Sequence, residues 1–138
     1  MEEKIRSELL SAAIEARENA YSPYSNFCVG AAILSEDGRI FKGANVENVS
    51  YGGTICAERV AMTSAVANGV RDFSAIAIVG APRGKKIDKK CPPCGICRQF
   101  MAEFCKADFK VILFDGENAE EYDLAALLPE AFDAVNLE

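Results

Sequence analysis

A chain of 138 residues, half of them hydrophobic, is long enough for one domain with its own core and too apolar to stay disordered. A formal net charge of −6 opposes a nucleic-acid partner, because that affinity rests on Lys and Arg neutralising phosphates; the one basic run, residues 83–90, is short, contains Asp88 and reads as a solvated loop. No stretch approaches the ~18–20 apolar residues of a membrane span, Met1-Glu2-Glu3-Lys4 is unlike a secretory signal, and six cysteines then fit a reducing compartment, so a cytoplasmic protein is expected.

Ile5, Leu9, Ala13, Ala16 and Ala20 recur at helical spacing and predict a first helix over roughly 3–20. Tyr21-Ser22-Pro23-Tyr24-Ser25-Asn26 breaks it. A β run from Phe27 to Leu34, then Glu36-Asp37-Gly38-Arg39, predicts a hairpin returning over Ile40–Ala44. After a polar stretch, 45–54, a second helix is expected from Cys56 to Asn68, stopped by Gly69. Phe73–Val79 reads as a buried strand and residues near 95–105 as a third helix. Lys110–Phe114 is another strand, and a short final one is expected near 121–124, with the tail beginning at Leu127-Leu128-Pro129. Without repeats or a linker, residues 1–138 form one α/β domain.

The chain has no histidine, so a metal site must be built from sulfur, carboxylate or backbone. Cys56-Ala57-Glu58 and Pro93-Cys94-Gly95-Ile96-Cys97 supply three thiolates and a carboxylate. Three sulfur ligands leave tetrahedral zinc an open position, the mark of a catalytic rather than a structural site. Each fragment opens a helix, where unpaired N–H groups and the positive dipole end favour thiolate over thiol. Glu58, an ordinary first-turn acid in isolation, becomes a candidate proton carrier beside Cys56. Two other readings compete. A Cys-x-x-Cys redox pair leaves Cys56 and Glu58 unexplained, and a closed four-thiolate site would recruit Cys91. Cys28 and Cys105 read as core residues.

These fragments match the all-cysteine variant of the zinc-deaminase pattern, and the chain resembles the small free-nucleoside cytidine deaminases along nearly its whole length. The matching segments are residues 21–27, 29–33, 45–48, 56–59, 94–99 and 127–132. The resemblance implies a three-layer α/β/α sandwich with a mixed five-stranded sheet, and one zinc per subunit held by Cys56, Cys94 and Cys97. It also implies a homotetramer with active sites shared between subunits. The implied reaction is hydrolytic deamination of cytidine and 2'-deoxycytidine to uridine and 2'-deoxyuridine, in pyrimidine salvage. Glu58 would take a proton from the water attacking C4, pass one to N3 and assist the departure of ammonia. By the same resemblance Asn45 and Glu47 bind the ribose, Phe27 packs near the base, and the backbone around Ala57 bonds the pyrimidine edge. Tyr51 and Phe132 would come from neighbouring subunits.

Three thiolates on Zn²⁺ sum to a formal −1, so something must draw electron density from sulfur. Arg59 is the candidate donor to the thiolates, with Arg98 as a second possibility or an exposed ion pair. Rival functions are deamination of a nucleoside analogue such as blasticidin S and, in a different class, a non-enzymatic zinc or redox module.

Overall fold

Helix α1 (Glu3–Arg17) buries Leu9, Ala13 and Ala16 along one stripe, and these residues cover one face of a sheet. In the computed structural model, which describes residues 1–138, strand β1 (Phe27–Ser35) turns at Asp37-Gly38 into antiparallel β2 (Ile40–Ala44), with Leu34 opposite Ile40. Gly38 takes φ +93°, a left-handed conformation that suits glycine in a tight hairpin. On its other side β1 pairs antiparallel with β3 (Phe73–Pro82). β3 runs parallel to β4 (Lys110–Phe114), which pairs antiparallel with β5 (Ala119–Asp123). The five strands lie in the order β2-β1-β3-β4-β5.

Strand periodicity divides the core in two. Ala75, Ala77 and Val79 join Leu9, Ala13 and Ile112 under α1. Ile76 and Ile78 face the other way, joining Met62 of helix α2 (Ala57–Ala67) and Met101 of helix α3 (Gly95–Phe104). The result is the expected α/β/α sandwich with a mixed sheet. Two glycines set the layer spacing: a Cβ on Gly30 would lie 2.1 Å from the Ala13 carbonyl oxygen, and one on Gly43 would lie 2.4 Å from the Ala61 nitrogen. Backbone therefore meets backbone at both helix–sheet contacts.

Several boundaries differ from the pattern reading. α1 stops at Arg17 rather than near 20, because Glu18, Asn19 and Ala20 donate to carbonyls three residues back and tighten the last turn. The Arg17 guanidinium is buried and donates to the carbonyls of Cys28 (3.2 Å), Ala81 (3.0 Å), Pro82 (2.7 Å) and Lys85 (3.1 Å), binding the ends of β1 and β3 together. β3 runs on to Pro82, three residues past the expected end. β5 starts two residues early, since the Asp115 carboxylate accepts the Glu117 and Asn118 N–H groups, closes the turn, and sets Phe114 opposite Ala119. A short helix α4 (Leu124–Leu127) and a 3₁₀ turn (Ala134–Leu137) occupy the tail. The basic run is not wholly solvated: Arg83 donates to the Ala20 carbonyl and the Ser22 hydroxyl, and Lys90 to Tyr122 and Glu120. No helix is long and apolar enough to cross a membrane.

Candidate active site

Two helix N-termini converge on the second face of the sheet. Cys56 is the N-cap of α2, Cys94 is the N-cap of α3, and Cys97 lies in the first turn of α3. Their sulfur atoms all lie within 4.8 Å of one another, and Cys56 Sγ is 3.7 Å from Cys94 Sγ. With sulfur about 2.3 Å from zinc, neighbouring corners of a tetrahedral shell stand about 3.8 Å apart. The three cysteines therefore fit a zinc ion without rearrangement of that pair. Cys91 is not in the group. Its sulfur instead sits over Gly80, 2.8 Å from where a Cβ there would lie, so the closed four-thiolate site does not form.

Local electrostatics favour anionic sulfur at one position. Hydrogen bonding from Cys97, aided by Arg59 and Cys94, pulls the Cys56 thiol down to about 5, while Cys97, as donor to Cys56, is pushed up. Arg59 Nη2 donates to Cys56 Sγ at 3.5 Å, and Arg59 Nε is buried with no partner inside the chain. Arg98 has neither role expected of it: its guanidinium donates to the carbonyls of Pro93 and Leu127, each at 2.7 Å. It ties the loop before Cys94 to the end of α4.

Glu58 is 4 % exposed, in the first turn of α2. Burial, reinforced by the negative charge of Cys56, raises its carboxyl to about 7. A carboxyl poised there can take a proton and give it back near neutral pH. Ala57 is fully buried, and its carbonyl oxygen lies 2.5 Å from where a Gly43 Cβ would be. Since that carbonyl faces the sheet, the group left for a ligand is the Ala57 N–H in the helix's first turn.

A second group gathers where β1 begins. Asn45 is 8 % exposed; its Oδ1 accepts from Val29 N and its Nδ2 donates to Phe27 O, both at 2.9 Å, continuing the sheet ladder past the end of β2. One N–H and one lone pair of the amide remain. Glu47 Oε1 accepts from the backbone N–H of Tyr24 (2.9 Å) and Ser25 (3.1 Å), and Oε2 accepts from the Ser25 hydroxyl. The edge of the Phe27 ring packs beside Cys91 over Gly80, where an added Cβ would come within 3.0 Å of the ring. A bridge between Val46 and Ile55, with Val46 N donating to Ile55 O (3.0 Å) and Ile55 N to Val46 O (2.9 Å), places Asn45 and Glu47 next to Cys56. Tyr51 is exposed, with its ring edge-on to Tyr24 at 5.9 Å, beside an open cleft of about 300 Å³ lined by Tyr24, Ser25, Glu47, Tyr51 and Thr54. Phe132 is also exposed, on a tail whose carbonyl at Phe132 accepts from Gln99 (2.7 Å).

The structure thus gathers Cys56, Cys94, Cys97, Glu58 and Arg59 at one point, with Phe27, Asn45 and Glu47 beside them. Tyr51 and Phe132 stand outward. The pattern reading missed the partners of Glu47. Tyr24 and Ser25 lie more than 20 residues upstream in an ordinary turn, and no local spacing marks them.

Comparison with known proteins agrees with this geometry. The family described as the cytidine and deoxycytidylate deaminase zinc-binding region matches residues 3–113. A cytidine deaminase of Halalkalibacterium halodurans is 49% identical over 133 residues, spanning 96% of this chain and 97% of that one. The crystal structure of cytidine deaminase from Burkholderia pseudomallei superposes with a TM-score of 0.84 at 46% identity, covering 96% of this chain and 100% of the other. A blasticidin-S deaminase of Bacillus cereus is 35% identical over 92 residues, 64% of this chain and 66% of its own.

Proposed function

Because the chain belongs to the cytidine and deoxycytidylate deaminase family, we infer that it is a zinc-dependent hydrolase that converts cytidine to uridine and ammonia. The observation that carries the residue assignment is a buried carboxyl, Glu58, two positions from one member of a three-cysteine cluster. Zinc bound by Cys56, Cys94 and Cys97 supplies the Lewis acidity that makes a water nucleophilic near neutral pH.

The chain's own groups do the rest. Glu58 accepts a proton from the attacking water as its oxygen bonds to C4, and returns that proton to N3. A second proton then passes from the oxygen now on C4, through the same carboxylate, to the exocyclic nitrogen as the C4–N bond breaks. Water is consumed, ammonia leaves, and the carboxylate ends as it began. Arg59 keeps the Cys56 sulfur from donating its full charge. Asn45 offers its remaining N–H and lone pair, and Glu47 its remaining acceptor capacity, to the ribose hydroxyls. Phe27 packs beside the base, and the Ala57 N–H meets the pyrimidine edge.

2'-Deoxycytidine is accepted as well, and the cellular role is pyrimidine salvage in the cytoplasm. Assembly is a homotetramer. In support, Val49, Tyr51, Ile96, Phe132, Val135 and Leu137 are each at least 61% exposed in the single chain, apolar side chains that contacts between copies would cover. Tyr51 and Phe132 are the residues this arrangement lends to neighbouring sites.

The deciding experiment follows the loss of cytidine absorbance with and without a chelator, and with zinc restored. Chelator-sensitive, zinc-restored turnover of cytidine and 2'-deoxycytidine, with blasticidin S much slower, is the expected result. No zinc-dependent release of uridine overturns the assignment.

A further inference from the structure

A carboxylate that must meet a ribose hydroxyl has to be aimed, and Glu47 sits on an exposed loop where a long side chain samples many rotamers. We propose that Ser25 is a positioning residue for the reaction, its hydroxyl and backbone N–H holding the Glu47 carboxylate in the orientation that receives the sugar. The proposal rests on the ribose role of Glu47 given above.

The geometry is reciprocal. The Ser25 hydroxyl donates to Glu47 Oε2 while its oxygen accepts from Phe27 N (3.0 Å), and Ser25 N donates to Glu47 Oε1 (3.1 Å) beside Tyr24 N (2.9 Å). A carboxylate offers about four acceptor sites, so three are taken and one is left for a ligand. One serine therefore links the residue expected at the sugar to the backbone of the residue expected at the base. The Ser25 hydrogen bond also holds the Glu47 carboxyl below its ordinary range, so it stays ionised as an acceptor.

The turn carrying Ser25 is itself fixed. Asn26 adopts φ +61°, a left-handed conformation that asparagine tolerates better than most residues. Its N–H donates to Ser22 O (3.0 Å), and its carbonyl accepts from Arg83 N (2.8 Å). Removing the hydroxyl would leave these Asn26 bonds in place, take from the Phe27 N–H its acceptor and free one oxygen of Glu47, so that ordering the carboxylate is charged to substrate binding.

The test compares cytidine with 2',3'-dideoxycytidine, which keeps the base and lacks both ring hydroxyls. Ser25→Ala should raise KM for cytidine about tenfold with kcat nearly unchanged, raise KM for the dideoxy substrate less than about twofold, and be largely rescued in Ser25→Thr. Similar losses on both substrates, no loss on cytidine, or no rescue by threonine overturn the proposal. Glu47→Ala is the reference. If it too fails to distinguish the substrates, the ribose role of Glu47 falls and the proposal with it. If it does distinguish them while Ser25→Ala does not, only the role of Ser25 falls.

Discussion

The Arg59 guanidinium stands 3.5 Å from the Cys56 sulfur, one helical turn further along α2 from the residue that caps it. A cation held there offsets part of the charge of a three-thiolate shell, whose sum with Zn²⁺ is −1. With zinc bound, the sulfurs would then neutralise the metal less and leave it more of its Lewis acidity.

Arg59→Gln should retain zinc yet lose about 10- to 100-fold in kcat, with the acidic limb of the pH–rate profile moved upward. Metal analysis with kcat measured across pH checks this. A variant with full zinc and an unmoved profile removes Arg59 from the mechanism.

Glu58→Gln keeps the size and burial of the side chain and removes its ability to carry a proton. Activity should fall by about 10² to 10⁴-fold, with zinc content unchanged. Turnover within a few-fold of the parent would show that another group moves the protons.

The same residue carries a stability signature. Its carboxyl lies near about 7 in the folded chain, above its ordinary 4.5, because burial disfavours the charged form. Between those values the folded state binds more protons than the unfolded state, so this group's contribution falls as pH rises through the window and the loss is complete above it. With zinc removed by a chelator, Glu58→Gln should therefore gain on the parent by roughly 2–3 kcal/mol between pH 4.5 and pH 8. Urea denaturation at both pH values measures it; a difference that stays constant or shrinks contradicts a buried, shifted carboxyl.

Cysteine substitutions should sort into two groups. Cys56→Ser, Cys94→Ser and Cys97→Ser each remove a ligand and should lose zinc and activity together. Cys91→Ser should keep one zinc per chain, because that sulfur lies outside the cluster and packs over Gly80. Zinc stoichiometry by atomic absorption decides, and a zinc-depleted Cys91→Ser protein would reinstate a fourth thiolate.

What the sequence disclosed follows from the range of the interactions involved. The hairpin at Asp37-Gly38 and the helices opened by Cys56 and Cys94 depend on neighbours a few residues apart, so local pattern revealed them. The mixed five-stranded sheet and the expected roles of Asn45 and Glu47 came from the family resemblance. Nothing in the local pattern marks Arg17, which reaches carbonyls as far as 68 residues away. Arg98 was expected at a thiolate or in solvent and spends its donors on backbone carbonyls instead. The start of β5 was set two residues late even though its signal, the Asp115 carboxylate closing the turn onto Glu117 and Asn118, is local. Contacts distant in sequence leave no period or spacing to read.

Asn45 completes the edge of the sheet with the same amide that we propose meets the sugar. Sugar preference at this position cannot drift freely: a side chain without both a donor and an acceptor strands the Val29 N–H and the Phe27 carbonyl, and the fold suffers before selectivity changes. Adaptation to a new sugar, in nature or in the laboratory, is channelled toward Glu47, whose carboxylate ties one loop to the turn at Tyr24 and Ser25 and carries no bond of the sheet ladder.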